Sequence, residues 1–168
     1  MSNPAVEWVL DQVADVVDAQ PADHPLKRID RDDSMILEGG ITKRRDDLMR
    51  ANYVGAGFAD RTAEQEGPEY DLNVDVVVGV RIEGLTGVGG EFGHVDPDGQ
   101  AGVTFDGDGG LVEQIRNAIY AGREYPDAGR TPVSFTHLSI TNEAPQSHLW
   151  EDYRRYDFDV VFEGFEAL

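Results

Sequence analysis

The chain has 168 residues and a mass of 18.5 kDa, a length that predicts one domain, residues 1–168, with a sizeable core. It contains no cysteine, which excludes disulfides, thiolate metal sites and a cysteine nucleophile. Asp and Glu number 33 against 14 Lys and Arg, and the resulting net charge of −19 disfavours binding to nucleic acid or to an anionic membrane.

The type of charge is informative as well as its sum. Lys27 and Lys43 are the only lysines, and the acids are spread over every segment. This composition resembles that of proteins from salt-in halophiles, such as haloarchaea and their viruses. Molar salt shortens the Debye length to about 3 Å and so screens the self-repulsion. The alternative is a mesophilic protein whose acidic face binds a partner.

The first predicted element is an amphipathic helix over residues 4–19. Its apolar side chains recur at helical spacing and its acids take the opposite side, so one stripe should be buried. The stripe consists of Val6, Val9, Leu10, Val13, Val16 and Val17. Acids interrupt this stretch, so it is predicted to be neither a signal sequence nor a membrane span. Asn3 can cap the helix and Pro21 ends it.

Residues 26–50 carry a weaker signal. Residues 26–31 favour a short strand, and polar breaks follow at 30–33 and 39–40. Farther along, Lys43-Arg44-Arg45 forms the densest cationic cluster of the chain. This cluster either pairs locally with the two acids that follow it or docks an acidic neighbour.

Two strands are predicted next, over residues 51–62 and 70–83. In the second, apolar and polar residues alternate without a break from Tyr70 to Ile82. Alternation this long is typical of an antiparallel sheet with one face on the core and the other in water. Residues 84–110 are rich in glycine and are expected to form a long loop.

The last elements are a helix over residues 110–123 and strands over residues 133–141 and 151–165. Two helices should therefore pack on one face of an antiparallel or mixed sheet. The predicted fold class is α+β.

The sequence offers few motifs for catalysis or cofactor binding. The stretch 84–93 lacks the Gly-Lys-Ser/Thr end of a phosphate loop, and the four histidines form no tight metal-binding pair. No serine lies in a Gly-x-Ser-x-Gly motif, and the acids of residues 96–108 do not match an EF-hand. We expect no enzyme activity, catalytic residue, metal ligand or cofactor, with an irregular cation site in 96–108 as the lesser alternative.

The element order and three motifs carry a family resemblance. The motifs are the strand YDLNVDVVVGVRIEG at 70–84, the helix LVEQIRNAI at 111–119 and the final strand YDFDVVFE at 156–163. In this pattern the chain resembles the tail terminator (tail completion, or neck) proteins of tailed viruses, in a haloarchaeal version.

The resemblance implies a structural virion protein without a cofactor. Six copies would close a ring that caps the tail tube, joins the tail to the head and lets DNA pass through an acidic lumen without specific binding. The implied partners are further copies of the chain, the tail tube protein and a head-side connector or stopper protein, with no membrane. The implied location is the tail or neck of the virion, after synthesis in the cytoplasm of a salt-in halophilic host.

Several residues become candidates for inter-subunit or tail contacts under this resemblance. They are Lys43, Arg44, Arg45, Phe92, His94, Arg154 and Arg155. For Arg154-Arg155 the alternative is again local pairing, with Glu151 and Asp152.

Two other functions stay open. One is a small halophilic α+β ligand-binding module or cone-shaped enzyme, with its pocket between helix and sheet. The other is a halophilic adaptor with an acidic partner-binding face.

Overall fold

The computed structural model describes residues 4–30, 41–65, 71–86, 93–96, 102–122, 125, 133–145 and 153–167. In chain order the elements are α1 (Pro4–Gln12), α2 (Ala14–Ala19), β1 (Leu26–Asp30), α3 (Ile41–Arg50), β2 (Asn52–Gln65), β3 (Asp71–Leu85), α4 (Leu111–Ala121), β4 (Val133–Pro145) and β5 (Tyr153–Ala167). None of the helices in these ranges is long and apolar enough to cross a membrane.

The five strands form one mixed sheet in the order β1-β2-β3-β5-β4. β1 and β2 are parallel, and the other neighbouring pairs are antiparallel. Parallel neighbours need a crossover connection, and α3 lies in the connection between β1 and β2. The predicted α+β class with a mixed sheet is confirmed.

The regularity of the pairing differs across the sheet. β3 and β5 pair through all 15 residues of β3 without a register shift. The strands beside them are irregular, since β2 shifts register between Phe58 and Asp60 and β4 shifts twice. The second shift of β4 includes Asn142, whose φ of 55° is left-handed, a conformation that asparagine tolerates better than most residues. This bulge lets β4 continue to Pro145, beyond the predicted end at residue 141.

One face of the sheet forms the main core, and we call it the helix face. It carries the even-numbered side chains of β3, from Val74 to Ile82, which are almost completely buried. Valines of α1 and α2 and leucine and isoleucine side chains of α4 belong to the same cluster. The apolar stripes that the sequence predicts for these helices are therefore the sides that are buried against the sheet.

The predicted helix over residues 4–19 is divided into α1 and α2 at Val13. Val13 has φ −89° and ψ 1°, outside the helical range, although Val17 N–H still donates to its carbonyl over 3.0 Å. The Trp8 ring, in α1, packs edge-on against Phe162 at 5.3 Å between centroids. An ideal Cβ on Gly122 would lie 2.4 Å from that tryptophan ring, so the end of α4 approaches α1 closely only because residue 122 is glycine.

A second, smaller apolar cluster lies on the other face of the sheet. It consists of Leu48, Ala51, Tyr53, Leu85 and Tyr153, with Ile29 packed against it. Strand side chains alternate between faces. Tyr53 pairs with Glu83 and Tyr153 pairs with Leu85, both odd-numbered β3 positions, so these residues face away from the main core. α3 thus covers one end of this second face through Leu48.

The helix α3 is a correction to the two-helix arrangement predicted from the sequence. Two helical regions do pack on the helix face, but α3 is a third, on the opposite face. Its sequence, ITKRRDDLMR, places Leu48 as its one fully buried large apolar side chain among those described. A helix with so short an apolar stripe gives no periodic signal.

Segments of the predicted loop 84–110 are packed against the sheet. Val95 N–H donates to the carbonyl of Leu85 over 3.0 Å, and Val103 N–H donates to the carbonyl of His94 over 2.9 Å. Val95 and Phe105 are buried in the main core. The described parts of this glycine-rich region therefore act as structural elements, joined to the end of β3.

Candidate functional site

The face of the sheet turned away from α1, α2 and α4 carries most of the polar chemistry, and we call it the polar face. It presents the odd-numbered residues of β3 and β5. α3 covers the end near Leu85. The remainder has no helix over it among the residues that the structure describes.

The uncovered end of the polar face holds an acidic groove. The residues that line it come from four strands: Glu64, Asn73, Asp75, Thr136, His137, Glu163, Gly164 and Phe165. Phe165 is 52% exposed. The groove combines three carboxylates with one apolar ring and one imidazole.

Two of these carboxylates are direct cross-strand neighbours. Asp75 of β3 pairs with Glu163 of β5, and Glu163 pairs with His137 of β4. Directly opposed side chains in an antiparallel pair have Cβ atoms about 5 Å apart, and like charges there are destabilising. Molar salt would reduce this repulsion.

The covered end of the polar face holds a set of paired charges that we call the ionic cluster. Its members are Arg81, Glu83, Tyr153, Arg155 and Asp157. Arg155 Nε lies 3.0 and 3.1 Å from the two carboxylate oxygens of Asp157. Arg81 Nε lies 3.4 Å from Asp157 Oδ1 and its Nη1 lies 3.9 Å from Glu83 Oε1.

Glu83 is the most deeply buried charged member of the ionic cluster, with 1% of the residue exposed. Tyr153 Oη donates to Glu83 Oε1 over 2.6 Å, the short distance typical of a charge-assisted bond. The hydrogen bond to Asp157 raises the pKa of the Arg155 guanidinium. Each charge of the cluster therefore has a specific partner within reach.

This geometry separates the two candidate residues Arg154 and Arg155. Adjacent strand residues point to opposite faces. Arg155 pairs with Asp157 on the polar face, and Arg154 Nη1 donates to the Tyr153 carbonyl over 3.2 Å. Arg155 thus has a local partner in Asp157, and the predicted partners Glu151 and Asp152 lie outside the described residues.

The candidate residues Lys43, Arg44 and Arg45 lie in the first half of α3. Their side chains lie outside the described part of the chain. Near the other end of the same helix, Tyr53 of β2 packs with Leu48 of α3. Burial raises the pKa of Tyr53, and the neighbouring Asp47 carboxylate raises it further while Arg50 lowers it. The helix thus joins a cationic start to a buried end on the polar face.

The candidate residue His94 has two polar contacts, and candidate Phe92 lies outside the described residues. His94 Nδ1 lies 3.1 Å from Nδ1 of His24, and His94 Nε2 lies 2.9 Å from the carbonyl oxygen of Met49. His24 precedes β1, and Met49 is near the end of α3. Sequence reasoning did not find this pair because its members are 70 positions apart.

Asn52, at the start of β2, is a buried amide that sequence reasoning also missed. It is fully buried, and neither its amide oxygen nor its amide nitrogen has a hydrogen-bond partner in the described structure. An ideal Cβ on Gly84 would lie 2.7 Å from Asn52 Oδ1 and 2.6 Å from a Val95 methyl group. Residue 84 must therefore be glycine for β3 to pass this amide.

Within the described ranges, no three His, Asp or Glu side chains are grouped closely enough to hold a metal ion by themselves. No protein-family model matches the sequence, and no curated protein matches it. The candidate sites therefore stand on the geometry of this chain.

Proposed function

We propose that the chain is a structural virion protein of a haloarchaeal tailed virus, a tail terminator that closes the tail tube as a ring and joins tail to head. The observation that supports this proposal is the polar face. A long sheet has one face filled by the core, while the other carries acids at one end and a cationic helix at the opposite end. Such a surface is better suited to the assembly of subunits and the passage of DNA than to catalysis.

The acidic groove suits the lining of a channel for DNA. Asp75 and Glu163 project from the two central strands, which pair without a break, so their positions are fixed. Carboxylates repel phosphates. DNA would then slide past the face without binding to it.

The cationic start of α3 suits a contact with the next subunit. α3 covers the end of the polar face opposite the acidic groove. Glu83 marks the covered end and Asp75 marks the groove, and these two β3 residues are eight positions, or roughly 26 Å, apart. A ring needs two different surfaces on each subunit, one meeting the other on its neighbour. The cations at residues 43–45 would supply one of these two surfaces, whereas the acidic groove faces the lumen and takes no part in the subunit contact.

The alternative of a ligand-binding module or cone-shaped enzyme places its pocket between helix and sheet. In the described structure that space is occupied by fully buried apolar side chains such as Val78, Ile115 and Val160. The described pockets are surface grooves, one of them between α2 and α4. This packing favours the structural proposal.

The first test is the mass of the purified protein in molar KCl, measured by light scattering after gel filtration, with negative-stain images of the same peak. A ring of about six copies supports the proposal, and a closed two-fold dimer contradicts it. If the protein is a monomer, the negative-stain images are repeated with tail tubes added. Failure to cap the tubes would then contradict the proposal.

The second test separates the two ends of the polar face by charge. Arg44→Glu with Arg45→Glu should prevent ring formation or tube capping, whereas Asp75→Asn with Glu163→Gln should leave assembly unchanged and increase retention of DNA. Each double variant is the control for the other. Equal assembly by both would contradict the role given to α3.

A further inference from the structure

The pair formed by His24 and His94 is fixed by its surroundings. His24 N–H donates to the Pro21 carbonyl over 3.0 Å, and the His94 carbonyl accepts from Val103 N–H over 2.9 Å. The His94 ring is fixed again through its Nε2, 2.9 Å from the Met49 carbonyl oxygen. Both rings are partly buried. The two Nδ1 atoms are therefore held 3.1 Å apart by a backbone that is itself hydrogen-bonded.

The Met49 carbonyl determines the tautomer of His94. A carbonyl oxygen only accepts hydrogen bonds, so Nε2 of His94 carries the proton. In the neutral ring, Nδ1 then presents its lone pair to His24. Metal-binding histidines characteristically donate their other ring N–H to a backbone carbonyl, which orients the ring and raises its basicity.

We propose that His24 and His94 form a two-histidine site for a divalent transition ion of the Zn²⁺ class, bound through both Nδ1 atoms. Zinc–nitrogen bonds of about 2.0–2.1 Å at the tetrahedral angle place two ligand nitrogens about 3.3 Å apart. The observed 3.1 Å needs a movement of a few tenths of an ångström. The neutral His24 ring binds with its proton on Nε2.

Imidazole nitrogen selects the ion class. Zn²⁺, Ni²⁺ and Cu²⁺ accept such ligands, whereas Mg²⁺ and Ca²⁺ require oxygen. The described residues supply no third His, Asp or Glu, so water or a donor from another molecule completes the coordination. The bound ion would join the turn before β1 to the segment after β3 and, through Met49, to α3.

The same two nitrogens have a competing arrangement without an ion. His24 Nδ1–H can donate to His94 Nδ1, since 3.1 Å is also a hydrogen-bond distance. The two arrangements differ in their response to metal. A hydrogen-bonded pair responds to protonation alone, whereas the proposed site is stabilised by the ion at constant pH.

The test uses the full chain in molar KCl at pH 7.5, with the wild type and all variants in the same buffer, so that chloride competes for the ion equally in every sample. Zinc sulfate is the probe, with calorimetric titration and thermal unfolding in zinc or in EDTA as readouts. The variants are His24→Gln and His94→Gln. His24→Gln leaves the hydrogen bond between His94 and the Met49 carbonyl in place, so this variant should fold even if His94→Gln does not. The control is His137→Gln, because His137 lies beside the acids of the acidic groove, where zinc would bind adventitiously.

We expect one ion per chain and a midpoint of unfolding raised by roughly 5–10 °C when zinc is at about 100 times its dissociation constant. His24→Gln should weaken binding by at least about tenfold, and His137→Gln should not change it. Absence of binding, equal binding by His24→Gln, or loss of binding in His137→Gln would each overturn the proposal. A midpoint that varies between pH 5 and 7 without responding to zinc would also overturn it.

Discussion

The two ends of the polar face contain similar residues in opposite arrangements. In the ionic cluster, each charge has an oppositely charged partner or a hydroxyl within reach, and Glu83 is 1% exposed. In the acidic groove, Asp75 and Glu163 are directly paired across the strands with like charge. One end therefore stabilises the fold, while the other costs stability and is available for an external role.

The largest effect that separates the two ends is expected from Asp157→Ala. This change removes the carboxylate that contacts both Arg155 and Arg81 and leaves two partly buried guanidinium groups facing each other. Losing one partner of a buried pair costs about 3–5 kcal/mol. Because these side chains keep some contact with solvent, we expect a loss of about 2 kcal/mol in the free energy of unfolding.

Denaturant unfolding in molar KCl measures this loss. Asp159→Ala is the matched control, since Asp159 lies two residues along the same strand and accepts from the Asn142 amide. We expect a loss below about 1 kcal/mol for the control. Equal losses would mean that the ionic cluster has no special role in stability.

A smaller effect is expected from Tyr153→Phe, which removes the hydroxyl bonded to Glu83 and keeps the ring. Hydrogen bonds to charged groups contribute about 1.5–3 kcal/mol, so the free energy of unfolding should fall by about 1.5 kcal/mol. Tyr156→Phe tests the same change near the surface, where the hydroxyl lies 3.4 Å from Glu143 in an exposed contact. A comparable loss in Tyr156→Phe would show that burial of Glu83 is not the cause.

The smallest effect is expected at the acidic groove, and it has the opposite sign. Asp75→Asn should raise the free energy of unfolding by about 0.5 kcal/mol in low salt, because it removes a like-charge pair. In molar salt the gain should disappear. A double-mutant cycle with Glu163→Gln isolates the pair, and coupling that is independent of salt would contradict the repulsion.

The fold was predictable where one period dominated the sequence. The alternation of residues 70–83 predicted β3, and the stripes of Val6 and Ile115 predicted the helices of the helix face. α3 was not predictable in this way, because its buried contact depends on Leu48 meeting Tyr53, Leu85 and Tyr153 from three strands. The break at Val13 lies inside an unbroken apolar stripe, so nothing in the pattern marks it.

The candidate sites were less predictable than the fold. Arg155 was recognised as a charged neighbour of Arg154, but its partner Asp157 is on the same strand face two residues along, a relation that exists only once the segment is a strand. His94 was a candidate, but its partner His24 is brought to it by tertiary packing. Sequence spacing carries no information about such pairs.

The register shifts of the sheet have a consequence for association between molecules. In the described structure β1 covers β2 only from Asn52 to Ala56, so the remainder of β2 and the outer sides of the short strand β1 and of β4 are edges. Exposed edges invite pairing with other chains, and proteins protect them with charges, proline or bulges. At molar salt, charges such as Asp60 and Glu64 protect weakly because their repulsion is screened.

The bulges at Phe58/Asp60 in β2 and at Asn142 in β4 are irregularities of the backbone pairing. Salt screens charges but not backbone shape. In concentrated brine, the shape of these two strands should therefore keep the sheets of neighbouring molecules from merging.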